Sequence, residues 1–225
     1  MSRLTSMRAR KSAGSYHHGD LRNALVDAGT QLAREGGPDA VVLREAARRV
    51  GVTSAAAYHH FGSHGELIQA VKQHALGLLS DRMRAALAQD QPAPAPEESG
   101  EEKNGAAEAA RQRLRALGEA YLRFAFDEPG LFRLTFGPRG SWPAADSAEP
   151  DDRGSGPFLL LTQVLDDLVA AGAIPAQRRP GLEYVVWAEV HGLAVLCIDG
   201  PLARLDGSQR QQTIGQALDA VIRGL

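Results

Sequence analysis

Between Thr53 and His64 the chain gathers a phenol (Tyr58) and three imidazoles (His59, His60, His64), behind the paired hydroxyls of Thr53 and Ser54 and a run of alanines. No Gly-rich phosphate loop, nucleophile elbow or pair of carboxylates on an apolar background accompanies them, so catalysis is not expected. Asp151–Asp152 and Asp166–Asp167 fall in loops or on polar faces. A metal is not expected either: adjacent histidines on a helix diverge by about 100°, and no further Cys or His completes a tetrahedral set at useful spacing. A phenol and an imidazole two residues apart on a short exposed helix can instead donate to phosphate oxygens, which fixes register without reading sequence. Thr53, Ser54 and Arg44 can reach polar base edges, and Ala55 and Ala56 can touch thymine methyls.

A second set of residues is apolar. Phe124, Phe126, Phe132 and Phe136 are spaced like a core and can also wall a pocket. Trp187 and His191 stand at i and i+4, on one helix face. They either line a ligand cavity or pack at a helix–helix or dimer interface with His191 satisfied by one hydrogen bond. Cys197, the single cysteine, rules out an internal disulfide and reads as a small buried hydrophobe.

The elements that must position these groups are helical. Leu21, Leu25, Ala28 and Leu32 draw one face of a helix from about Asp20 to Glu35, capped by Asp20 and stopped by Gly36-Gly37-Pro38. A short helix from about Arg44 to Val50 ends at Gly51, where glycine permits a tight turn, and a second runs from about Ser54 to His60 with Thr53 or Ser54 as its cap. Ala47 is small enough for the two to cross closely, with Val50, Val52 and Ala57 turned inward. These are the requirements of a helix-turn-helix whose second helix enters a major groove. Further stripes run through Leu161–Leu168, Leu182–Ile198 and Ile214–Leu225. The helix over 182–198 has almost no polar face, so its own fold covers one side and a second subunit is the simplest cover for another. Gly192 is read as permitting close helix approach. No alternating run is bounded by turns, so the fold class is all-α. The stretches 89–105 and 137–157, rich in Pro, Gly and acids, read as mobile loops.

Composition sets the bounds. With 225 residues, 44% hydrophobic and 23% charged, the chain suits one or two ordered domains. Its most apolar stretch, Val185 to Leu202, is broken by Glu189, His191 and Asp199, so no membrane span is expected; no apolar run follows the basic N-terminus, so no secretory signal is expected, and the cytoplasm is the expected compartment. The net charge of −2 conceals an asymmetry. Residues 1–86 hold 12 Lys and Arg against 7 Asp and Glu, a balance of +5 that leaves −7 for the rest. A basic front suits a polyanion, and Arg3, Arg8, Arg10 and Lys11 read as an arm along phosphates or a minor groove.

The pattern Gly51-Val52, Tyr58, His60-Phe61 and Leu67 resembles the TetR family of dimeric bacterial transcription regulators, over roughly Asp20 to Ala86. Trp187-x-x-x-His191-Gly192 and the run Ala120–Phe136 resemble the subgroup named for a Trp-His-Gly pattern. The resemblance implies that Thr53, Ser54, Ala55 and Ala56 open the recognition helix and that Tyr58 and His60 hold phosphates, with His59 on the same short helix. At position 64 the family usually has a lysine on a phosphate; His64 is a weaker partner, followed by the poor helix former Gly65.

The expectation is therefore a ligand-responsive regulator of transcription, a repressor, bound as a homodimer to a palindromic operator in double-stranded DNA. Residues 15–66 form the helix-turn-helix domain and 67–225 a helical regulatory and dimerisation domain. The last two helices, about 181–199 and 208–225, pair with their mates across a twofold axis. No cofactor is expected beyond a small-molecule effector, with Phe124, Phe132, Trp187 and His191 as candidate pocket residues. The alternative is a helical ligand-binding or scaffolding protein that no longer binds DNA.

Overall fold

A computed structural model describes residues 18–89, 100–137 and 156–225, and every regular element among them is helical. The basic arm falls outside these residues, as do the central parts of both expected loops. Among the described residues nine α-helices follow in order: α1 (His18–Gly36), α2 (Leu43–Val50), α3 (Ser54–Tyr58), α4 (His64–Gln89), α5 (Gly100–Asp127), α6 (Pro129–Phe136), α7 (Pro157–Ala170), α8 (Leu182–Ile198) and α9 (Gly207–Gly224).

Three expectations need correcting. α1 starts at His18, so Asp20 lies in its first turn, where a carboxylate favours the positive end of the helix dipole, and is not its cap. α3 is two residues shorter than expected; His59 and His60 form the turn behind it. Gly100 to Gly105 belong to α5 and not to a loop. The segment from Gly100 is rich in Glu and Ala, strong helix formers, and it extends the amphipathic helix behind it backwards.

The small front unit packs α1 on α2 and α2 on α3, with Leu25, Leu43, Ala46, Ala47, Ala57 and Phe61 buried. α4 leaves this unit and packs along α5, making one continuous core with the remaining helices. α7 ends where Gly172 takes a left-handed conformation, shortly before Pro175. α9 opens with a capping box: Gln209 N–H donates to the Asp206 carboxylate at 2.8 Å, and Asp206 N–H donates back to Gln209 Oε1 at 3.2 Å.

α8 has the expected bounds, but its burial is one-sided. Leu182, Val186, Val190, Ala194 and Cys197 face the core. Tyr184, Val185, Val195 and Leu196 are exposed by 40–54%. Gly192 faces open space among the described residues, so no close helix approach between them needs it.

Candidate nucleic-acid interface and ligand cleft

The turn between α2 and α3 is fixed by backbone geometry. Gly51 sits at φ 79°, ψ 28°, a left-handed position that costs most other residues strain, and Val52 N–H donates to the Ala47 carbonyl at 3.0 Å. Thr53 then caps α3, its hydroxyl accepting from Ala56 N–H at 3.2 Å. That bond occupies one lone pair; the hydroxyl proton stays available to a base edge. Ala57 is wholly buried and anchors α3, which turns Ala55, Tyr58 and His59 outward, with Ser54, Ala56 and His60 half-buried. Tyr58 is 53% exposed, which suits a hydroxyl offered to solvent or phosphate.

Arg44 is exposed on α2, and among the described residues no acid holds it. Its neighbours are held. Arg48 forms two hydrogen bonds to Glu45, at 2.8 and 2.6 Å, and Arg49 two to Glu35, at 2.8 and 2.6 Å. The hydrogen bonds from Arg48 hold the Glu45 carboxyl down at about 2, so it stays ionised at any physiological pH. Residues 18–66 carry five arginines against six acids, a net −1. The positive balance of the front half thus comes from the arm and from α4, not from the helix-turn-helix.

His64, exposed at the start of α4, is tied through Nε2 to the Val41 carbonyl. A neutral ring that donates there presents only a lone pair at Nδ1, and a lone pair repels a phosphate. Only the protonated ring could replace the lysine whose place it takes.

The four candidate pocket residues separate. Trp187 lines a narrow cleft in the helical body with Met83 of α4, Leu117 and Tyr121 of α5, Leu161 of α7 and Leu218 of α9; among the described residues no charged side chain lines it, and its volume is about 30 Å³. Phe132 and His191 do not line the cleft. They stand beside it, His191 stacked on Phe132 at 5.5 Å between ring centroids, and both reach it through Tyr121. Phe124 lies elsewhere: it is buried beneath the Arg82 guanidinium, 5.2 Å from its centroid, where α4 meets α5. Spacing within one helix could not tell which of its two faces meets α8.

Tyr121 is the residue that sequence reasoning missed. Its hydroxyl lies 2.8 Å from His191 Nδ1, and its ring packs edge-on to Trp187 at 5.2 Å. Burial raises the phenol well above its usual range and lowers the imidazole, so both stay neutral and the phenol donates to Nδ1. His191 is thus satisfied by a hydrogen bond inside the fold, as one of its two expected readings requires.

α6 joins this cluster to the front unit. At its leading end, Arg34 of α1 grips Glu128 through two bonds of 2.8 and 3.0 Å, and Arg82 approaches the same carboxylate at 3.4 Å. Gly130 presses so closely on α1 that a Cβ there would lie 2.0 Å from the Ala33 carbonyl oxygen. At its trailing end Phe132 and Phe136 pack on Tyr121 and His191, and Phe136 also on Trp187. No sequence signal links Arg34 to a carboxylate 94 residues away.

Among known proteins, residues 25–71 match the family described as bacterial regulatory proteins, tetR family, and residues 114–221 match the Tetracyclin repressor-like, C-terminal domain. Over 66 residues the chain is 42% identical to the HTH-type transcriptional regulator BetI of Rhizobium meliloti (strain 1021); the match covers 29% of this chain and spans about a third (32%) of that regulator. A protein with unknown function from Rhodococcus sp. RHA1 is 26% identical, with a TM-score of 0.71 over 94% of this chain and 98% of its own. A TetR variant from Acinetobacter baumannii AYE in complex with minocycline has the same fold, with a TM-score of 0.57, 17% identity and coverage of 93% and 96%.

Proposed function

This chain belongs to the TetR family of bacterial regulatory proteins, DNA-binding transcription regulators and not enzymes, and from that premise we propose that it is a ligand-responsive repressor acting as a homodimer on a palindromic operator. The observation that carries the reading is α3, held out from the fold by the Gly51 turn with Thr53, Ala55, Tyr58 and His59 on its surface. Residues 15–66 form the reading head and 67–225 the regulatory body. Thr53, Ser54 and Arg44 read base edges, Ala55 and Ala56 meet thymine methyls, and Tyr58, His59, His60 and protonated His64 meet phosphates. The triplet Trp187, His191 and Gly192 supports a place in the Trp-His-Gly subgroup.

The uncovered side of α8 and its neighbour α9 form the twofold interface, which buries Val185, Val195 and Leu196 against a second copy. Pairing sets the separation of the two α3 helices, which must be about 34–36 Å to enter successive major grooves on one face of the duplex. A small molecule that opens the cleft displaces Tyr121 and Trp187, and through them Phe132 and Phe136. α6 carries the shift to α1 at Glu128 and Gly130, and the heads leave that separation. The loss of affinity equals the ligand's preference for the shifted state.

The test is a gel shift on the DNA upstream of the chain's own gene and its neighbours, repeated over a range of salt. A single palindromic site bound by two copies, with affinity falling steeply as salt rises, supports the reading. Failure to bind any of these sequences while the protein remains a folded dimer favours a helical ligand-binding or scaffolding protein.

A further inference from the structure

Resting on that regulatory reading, the chemistry of the cleft points to its ligand: we propose a neutral, mainly apolar molecule whose principal polar group is a hydrogen-bond acceptor for the indole N–H of Trp187. Trp187 Nε1 is buried and has no hydrogen-bond partner among the described residues. A buried donor without an acceptor destabilises the fold that holds it, so the cleft carries a standing preference for any occupant that brings one. A water does this poorly. A space of about 30 Å³ admits one, but among the described residues the lining side chains that carry an N–H or O–H are Trp187 and Tyr121, and the hydroxyl of the latter is engaged with His191. Buried waters typically make about three hydrogen bonds.

The rest of the lining excludes charge. Among the described residues it offers no Lys, Arg, Asp or Glu to pair with an ion, and an unpaired ion in such surroundings is heavily disfavoured. The adjoining Tyr121–His191 pair does not supply the missing charge, because burial holds both groups neutral. An aliphatic or aromatic body is accommodated by displacing flexible side chains that line the cleft, Met83 and Leu218 among them, and gains the aromatic contacts of Tyr121 and Trp187. A carbonyl or ether oxygen meets the remaining need. Carboxylates and amines of the same size are rejected.

The experiment uses the full-length protein without DNA, so its outcome is independent of operator binding. The probes are acetophenone, isopropylbenzene of similar shape, benzoate and benzylammonium, followed by calorimetry and by the indole N–H resonances, which Trp142→Phe assigns. The expected result is saturable binding of acetophenone at least about tenfold tighter than either ion, with a downfield shift of the Trp187 N–H that isopropylbenzene does not produce. Trp187→Phe then weakens acetophenone at least about fivefold while leaving isopropylbenzene within about twofold. Benzoate or benzylammonium binding as tightly as acetophenone overturns the proposal. So does a Trp187 resonance that does not respond to acetophenone up to about 1 mM.

Discussion

Helices α3 and α8 each leave one side uncovered by the chain, but the two sides differ in kind. At α3 the open side consists of small and polar groups, Ala55 and Tyr58 on a helix of five residues and Thr53 and His59 at its two ends. On α8 it is Tyr184, Val185, Val195 and Leu196 on a helix of seventeen. Water solvates the first surface well, so a partner gains there only by matching hydrogen bonds and shape. Water solvates the second badly, so any matching apolar surface gains by covering it. One chain thus exposes a weakly attractive surface suited to selecting a polar partner and a strongly attractive one suited to permanent pairing.

The sharpest way to break this contrast is to charge the apolar surface. Val185→Glu places an unpaired carboxylate in the proposed interface, at a cost of about 3 kcal/mol or more, which raises the dimer dissociation constant by at least about 100-fold. Sedimentation should show a folded monomer, and operator binding should fall with it. A dimer unaffected by this change would place the twofold elsewhere.

The seam between the two regions is the next target. Gly130→Ala forces a methyl group onto the Ala33 carbonyl, and overpacking of this kind costs about 1–3 kcal/mol. Thermal unfolding should report the loss, and ligand-dependent release from DNA should weaken, because α6 no longer rests on α1. A variant of unchanged stability would mean that the contact is slack.

A smaller effect sharpens the polar side. Tyr58→Phe removes a hydrogen bond to phosphate, worth about 1.5 kcal/mol or roughly tenfold in affinity, on every sequence alike. Altered base preference in a binding-site selection would contradict the phosphate assignment.

The least effect concerns pH and the interior beside α8. Burial sets His191 below its unfolded value, so its stabilisation is complete above about pH 6.5 and is lost as pH falls below that value, where the unfolded chain takes up the proton first. His191→Asn should flatten the decline in melting temperature between about pH 7.5 and 5.5. An equally steep decline in the variant would assign it to other groups.

What could be read from sequence was local. Gly51, Thr53 and Ala57 set their turn, cap and anchor within seven residues, and the bounds of α8 follow from a mainly apolar run between Gly181 and Gly200. What could not be read is decided by contacts between distant segments. Phe124 and Phe132 look alike in spacing, yet one lies under Arg82 and the other against His191. Tyr121 became a partner of His191 only when α5 crossed α8, and the start of α5 was hidden because an acidic stretch reads equally as solvated chain or as helix. The uncovered side of α8 was legible as an excess of apolar residues, but which of them face out was not.

The pairing of Arg48 with Glu45 and of Arg49 with Glu35 reaches beyond the stability of α2. These acids cancel positive charge that would otherwise attach the head to any duplex, and apart from the segment before residue 18 the head meets DNA almost without a long-range pull. A bacterial chromosome offers upwards of about 10⁶ competing positions. A head that adds little affinity for arbitrary sequence leaves that share of the binding to the four cations before residue 18, and its own contacts serve to favour one site over the others.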